Sequence, residues 1–267
     1  MSTLTARSIP PSLAPIVGAM ELERPRLVTV QQLAVLAAAA GLRTPTRVIA
    51  HRLVRHGWLL PTSTRSVWEF APAERAGAHT DGDSANPVRA VLAASPSQAV
   101  AVALGSALYL RGLSDRGPDI LEVALPEAQL PPRGLAGGCR ITRFVASLPT
   151  DTINGVPVHR LESVLVHAAH RPRDVRSWGA LLEVVATNAA AVRVAALRQE
   201  LAGRPRATAV RLAYLLSGAA PTVAKAIMPT GTQRVWFGPR RRVRRYDPAR
   251  GIADTLLPMA PTDLLPP

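Results

Sequence analysis

The stretch TVQQLAVLAAAAGLRTPTRVIAHRLVRHGWLLPTSTRSVWEF, residues 29 to 70, decides the fold of the first part of the chain. Thr29 with Gln32 three positions on has the form of a capping box, so a helix is expected to open there and run through the alanines. Gly41 ends it, because glycine enters the left-handed conformation of a helix terminus without a Cβ penalty. After a tight Gly-Leu-Arg turn, Thr44 is expected to cap a second helix with Pro45 in its first turn and Gly57 closing it. In WLLPTSTRSVWEF, apolar runs flank PTSTRS, the pattern of a hairpin with Arg65 near its tip. Helix, turn, helix, hairpin is the order of a winged helix-turn-helix.

The second helix has two unlike faces. At about 100° per residue, Ile49 and Leu53 share one face with His56 near them, while Arg47, His51 and Arg55 occupy the opposite one at i, i+4 and i+8. From Arg24 to Arg65 there are seven arginines and no acid. An arginine near the start of such a helix can make a bidentate contact with guanine in the major groove, and one nearer the end meets phosphate. Arg47 is therefore the expected base reader, and Thr44, Thr46, Arg47, His51, Arg52, Arg55 and Arg65 form the expected DNA-binding set. The competing reading is a solvated basic face on an ordinary core helix.

The chain as a whole fits that direction. Its 267 residues suffice for two domains, each with its own core. Thirty-two basic against eighteen acidic residues leave a formal charge of +14, which favours polyanionic partners over acidic small molecules. Part of the excess reflects composition, since every basic residue except Lys225 is arginine in a chain crowded with Ala, Val, Leu and Pro, so placement counts for more than the total. The lone Cys139 rules out an internal disulfide and cysteine-rich zinc sites, and fits a reducing cytoplasm. Prolines 10, 11 and 15 with acids at 21 and 23 interrupt any signal-peptide core, and no apolar run reaches the roughly 18 to 20 residues of a membrane span. A soluble cytoplasmic protein without a membrane partner is expected.

AERAGAHTDGDSANP, residues 73 to 87, is polar and glycine-dotted, and reads as a linker over 76–86 between a DNA-binding domain, 1–75, and a second domain, 87–267. The second domain reads as mixed α and β. NPVRAVLAA and the run up to ALYLRGL look helical, LEVAL and RITRFVA look like strands, and TINGVPV carries the Asn-Gly of a hairpin turn. Four helical segments follow, from RLESVLVHAAH to ATAVRLAYLLSGA, and then a short strand pair carrying Arg240, Arg241, Arg242, Arg244 and Arg245 as a possible second anion-binding surface. Strands followed by helices indicate α+β rather than a doubly wound sheet.

Chemistry is sparse. Pro118, Asp119 and Glu122 resemble the carboxylates of restriction-like nucleases only superficially, since the separation is too short and Ala124 stands where a lysine is needed. His159, His167 and His170 are read as surface histidines of a helix, because no Cys or carboxylate is spaced to complete a metal set. PRGLAGGC lacks the Lys-Ser/Thr of a P-loop and reads as a plain loop. Trp58 and Trp68 are expected in the core of the wing, and Cys139 has no positioned base. Neither a catalytic constellation, a metal site nor a cofactor is expected.

Taken together, the basic winged helix, the linker, GSALYLRGLSDRGPDILEVAL, VHRLESVLVHAAHRP and RLAYLLS resemble the AbiEi family of bacterial antitoxins from type IV toxin-antitoxin systems, across most of residues 26 to 246. SALYLRGLSDRGP, residues 106 to 118, is the most specific part. Where relatives tend to have Glu-Arg-Thr-Leu-Leu-Asp, this chain has Glu162-Ser163-Val164-Leu165-Val166-His167. The resemblance implies promoter DNA with inverted repeats as one partner and a nucleotidyltransferase toxin as the object of antagonism, with direct contact to the toxin left open. A stand-alone regulator with a ligand-sensing or dimerising second domain is the competing function, and a nuclease or kinase-like enzyme the outside one.

Overall fold

The structure, a computed structural model, describes residues 8–75, 82–231 and 233–264. Residues 76–81 of the expected linker lie outside the described residues. The chain divides into two compact units, one of residues 1–99 with 130–139 and the other of 100–129 with 140–267.

The first unit opens with α1, Ala14–Glu23, which the sequence reading did not anticipate, and β1, Leu27–Thr29. The capping box forms as expected: Thr29 Oγ1 accepts the Gln32 N–H and Gln32 Oε1 accepts the Thr29 N–H, opening α2, Val30–Ala39. Gly41 follows at φ +68°. The next helix, α3, Thr46–Arg55, starts without Thr44 as its cap. Pro45 holds the cap position, and its carbonyl accepts the N–H groups of Val48 and Ile49, so proline's fixed φ starts the helix where a side-chain cap was expected. β2, Leu59–Pro61, and β3, Val67–Phe70, form the expected hairpin, and β1 adds to it antiparallel in the order β1-β3-β2. Ile16, Met20, Leu33, Ile49, Leu53 and Phe70 are fully enclosed in one core, with Trp58 among them. This is a winged helix. α4, Asn86–Ala94, packs on β1 and β3 and so completes the same unit.

The second unit is built on a five-stranded sheet. β4, Ala101–Val102, leads into α5, Leu104–Leu110, and β5, Leu121–Leu125. β6, Cys139–Arg143, is followed by the hairpin of β7, Asp151–Ile153, and β8, Val156–Val158. Asn154 and Gly155 take φ +49° and +76°, the paired left-handed conformation that an Asn-Gly hairpin turn requires. The strand order is β6-β5-β4-β8-β7, with β4 and β8 parallel. α6, Leu161–His170, is apolar almost all round and buried from Leu161 to Ala169 between α5, α8, Val194–Leu201, and α9, Arg206–Leu215. α7, Trp178–Asn188, precedes α8. A helix beyond the four expected, α10, Pro221–Ile227, follows α9. The expected strand pair is instead a three-stranded sheet of β9, Val235–Phe237, β10, Arg245–Asp247, and β11, Ile252–Asp254, because β11 inserts between the other two and pairs parallel with β9.

Candidate nucleic-acid interface

α3 is amphipathic in the sense the sequence requires. Ile49 and Leu53 are fully buried, while Arg47, His51 and Arg55 are exposed on the opposite face. Thr44 and Thr46 are half-buried at the helix entrance. Arg52 lies to the side, where its guanidinium donates to Ser12 Oγ at 3.3 Å. His56 is turned inward far enough for its Nδ1 to lie 3.0 Å from Ser8 Oγ.

The charge on this face is not neutralised from within. Of the seven arginines between positions 24 and 65, Arg24 is paired with Glu74 at 2.7 Å and Arg26 with Asp83 at 3.0 Å. Arg43, Arg47, Arg52, Arg55 and Arg65 have no carboxylate partner among the described residues. Anionic groups delivered from outside would therefore meet guanidiniums that lose no internal pairing.

The wing is held from both sides. Thr62 Oγ1 donates towards the carbonyls of Thr64 and Val67, and the Val30 N–H bonds the Ser66 carbonyl, fixing the turn in which Arg65 projects into solvent. The segment 130–139 braces the other side. Ser63 Oγ donates to the Gly134 carbonyl, and a Cβ on Gly134 would stand 2.2 Å from Thr64 Oγ1 and 2.9 Å from Val91 Cγ2. PRGLAGGC is thus a loop, as expected, and also a packing element, since only glycine admits that approach.

In the second unit the motif SALYLRGLSDRGP ties α5 to the sheet. Ser106 Oγ accepts the Glu122 N–H at 2.8 Å, and the Glu122 carboxylate accepts the Gly105 N–H and pairs with Arg140. Arg111 donates to the His159 carbonyl at 2.6 Å and pairs with Asp151, which also pairs with Arg160. Gly117 leaves room for the Tyr109 ring, 3.0 Å from where a Cβ would be. Glu122 is buried with its carboxyl pushed up by burial against the pull of Arg140, while Asp119 is exposed, so the two carboxylates share no site.

The histidines differ from expectation. His167 is buried, not on a helix surface, because α6 is enclosed by its neighbours, His159 is buried just before α6 and outside any helix, and His170 is half-buried. His167 stacks on Phe144 with ring centroids 4.3 Å apart, and Arg204 lies over the same ring at 4.1 Å. Burial pushes His159 down to about 3, helped by the nearby charges of His167, Arg111 and Arg204. It lowers His167 as well, against the opposing pull of Asp174 at 3.4 Å. Burial also pushes the Cys139 thiol up to about 11, so it is protonated at neutral pH and no nucleophile. Among the described residues no group of three or more His, Cys, Asp or Glu side chains is placed to hold a metal, and no helix is long and apolar enough to cross a membrane.

Residues 100–218 match the family model described as the AbiEi antitoxin C-terminal domain. Residues 100–218 are thus similar to the C-terminal domain of AbiEi antitoxins. The AbiEi match begins at the first strand of the second unit and ends just after α9, so it holds the five-stranded sheet and α5 to α9 but neither α10 nor the three-stranded sheet. The chain is also similar to the RV2827C protein of Mycobacterium tuberculosis, known from a crystal structure, at 26% identity over 94% of each chain with a TM-score of 0.80. That similarity spans the winged helix together with the AbiEi domain. Comparison with curated proteins gives no match.

Of the expected second anionic surface, Arg240, Arg241, Arg242 and Arg244 lie in the connection from β9 to β10, exposed, and Arg245 is the first residue of β10. Arg245 is committed inward: it pairs with the fully buried Asp254 at 3.2 Å and donates to the Leu257 and Pro258 carbonyls. Arg241 and Arg244 reach the carbonyls of Thr255 and Leu257.

Proposed function

We propose that this protein is the antitoxin of a bacterial toxin-antitoxin pair, repressing its own promoter through the winged helix and counteracting a nucleotidyltransferase toxin through the AbiEi domain. The observation that carries the reading is the coincidence, in one chain, of a segment similar to the AbiEi domain with a winged helix on which Arg43, Arg47, Arg52, Arg55 and Arg65 have no carboxylate partner among the described residues. Arg47 and His51, near the start of α3, are the base-reading side chains, with Thr44 and Thr46 beside them. Arg52, Arg55 and the wing-tip Arg65 neutralise phosphates. One module contacts few phosphates, so two copies on an inverted repeat give operator affinity. The protein acts in the cytoplasm, where promoter and toxin are found.

Growth and reporter assays test the two halves. A nucleotidyltransferase encoded beside this gene should arrest growth when expressed, and co-expression of this chain should restore growth while silencing a reporter driven by the operon's promoter. Rescue without repression would remove the autorepressor half, and repression without rescue would remove the antitoxin half. A ligand-sensing regulator is the second reading, favoured by a cavity of about 790 Å³ between α5 and α7, lined by Leu108, Arg116, Glu122, Arg176 and Glu183 among others.

A further inference from the structure

The three-stranded sheet beyond the AbiEi match has two unlike faces. Val235, Phe237, Ile252 and Asp254 are buried on one face, against the helices. In register across the other face stand Trp236, Ala253 and Tyr246, since Trp236 pairs with Ala253 and Ala253 with Tyr246. Neighbours in register point the same way, so two aromatic rings flank one small residue, with Trp236 half-buried and Tyr246 half-exposed. The guanidinium of Arg234 lies 5.3 Å from the centre of the Tyr246 ring.

Beside Trp236 opens a cleft of about 530 Å³ lined by Arg173, Arg206, Arg211, Arg234 and Arg240, with no carboxylate in its wall. None of the five has an ion-pair partner among the described residues. Arg206 and Arg211 are oriented by backbone carbonyls alone, those of Thr230 and Gly231 and those of Trp236 and Ala169. The nearby acids are already used: Asp254 holds Arg245 and Asp247 holds Arg250. From the cleft the exposed Arg240 and Arg242 carry the positive charge onward along the connection to β10.

We propose that this sheet face is a binding site for single-stranded RNA, with bases stacked on Trp236 and Tyr246 and the phosphodiester backbone running along the cleft arginines to Arg242. Charge complementarity calls for a polyanion, and the extended line of guanidiniums suits a chain better than a compact anion. The partly exposed rings, which cover the buried Ala253 between them, select a single strand, because a duplex keeps its base faces stacked inside and cannot offer them. RNA is recognised mostly at single-stranded loops and ends whose unstacked bases lie on aromatic rings and guanidiniums, the two groups this face offers. The site is separate from the winged helix and does not rest on the antitoxin reading.

The test uses the full chain and the fluorescence anisotropy of a labelled 12-nucleotide RNA of mixed sequence. Trp236→Ala and Tyr246→Ala should each weaken binding roughly tenfold, while Trp236→Phe and Tyr246→Phe, which keep a stacking ring, should stay within about threefold of the parent. Arg240→Ser and Arg242→Ser should each flatten the salt dependence by about 0.7 in log–log slope. Promoter duplex binding should be untouched by all of these, and Arg47→Ala with Arg55→Ala should do the reverse, so the two sites fail separately. The site is refuted if the alanine variants bind RNA like the parent, or if unlabelled duplex or poly-glutamate displaces RNA as well as unlabelled RNA does. Tighter binding of single-stranded DNA of the same sequence would overturn the assignment to RNA.

Discussion

Replacing Arg55 by alanine removes a guanidinium that is exposed at the end of α3 and has no ion-pair partner among the described residues. The fold should therefore hardly notice, with stability changed by no more than about 0.5 kcal/mol. Binding should notice in a specific way. If Arg47 reads a base, Arg52, Arg55 and Arg65, none with a carboxylate partner among the described residues, supply the phosphate contacts of each copy. Two copies on an inverted repeat then give a log–log salt slope of about −5, and affinity should fall by about three decades between 50 and 200 mM salt. Arg55→Ala removes one contact per copy, which flattens the slope by about 1.8 and leaves a fall of about two decades. Arg65→Ala should behave alike. Arg47→Ala and His51→Ala should instead leave the slope nearly unchanged and narrow the gap between operator and scrambled duplex by roughly 1–3 kcal/mol. Titrations at four salt concentrations on both duplexes measure all of this. Unchanged slopes for Arg55→Ala and Arg65→Ala, or equal losses on both duplexes for Arg47→Ala, would refute the placement of α3 in the groove.

Three further expectations concern the frame around these sites. Gly134→Ala should destabilise the first unit by about 1–3 kcal/mol in urea and weaken operator binding, because its Cβ would collide with Thr64 in the wing turn. Glu200→Ala should cost about 3–5 kcal/mol in the same assay, since the fully buried carboxylate accepts the Leu148 N–H and the Ser163 hydroxyl and pairs with Arg204, all of which it would leave uncompensated. His159 and His167 have folded pKa values below their unfolded ones, so the folded state binds fewer protons and stability is complete above about pH 6.5. It should fall with acid by up to about 1.4 kcal/mol per pH unit for each histidine, and a melting series from pH 7.5 to 5 should be flatter for His159→Phe than for the parent.

Local signals were legible and tertiary ones were not. The Thr29–Gln32 box, the two faces of α3, the hairpin around Arg65 and the Asn154-Gly155 turn all follow from short-range chemistry, and each forms as read. Thr44 competed with Pro45 for the same helix start, and the proline won by its fixed φ. β1 and β11 were not anticipated. The burial of His167 could not be foreseen from spacing. LESVLVHAAH is apolar nearly all round, so no polar face remained to say which way a histidine points, and only the packing of α5, α8 and α9 around α6 decides it. Trp236 and Tyr246 stand ten positions apart in sequence, and they share a face only through β11, which comes after both.

The bracing of the wing has a consequence for how the two jobs are divided. Residues 130–139 join β5 to β6 in sequence but belong to the winged-helix unit in space, as does α4, whose Val88, Ala90 and Val91 are buried there. A cut within 76–86 would leave the winged helix without the helix that covers β1 and β3 and without the loop that receives Ser63. It would also leave Leu135, fully buried in the intact chain, without its surroundings on the other fragment. Burying an apolar side chain of this size is worth roughly 1.5–3 kcal/mol, so several such losses are comparable to the whole stability of a domain this small. The expected division into residues 1–75, a linker over 76–86 and residues 87–267 is a division by sequence composition. The cooperative unit that presents Arg47, Arg55 and Arg65 is larger, because the antitoxin half contributes the segment that holds the wing turn in place.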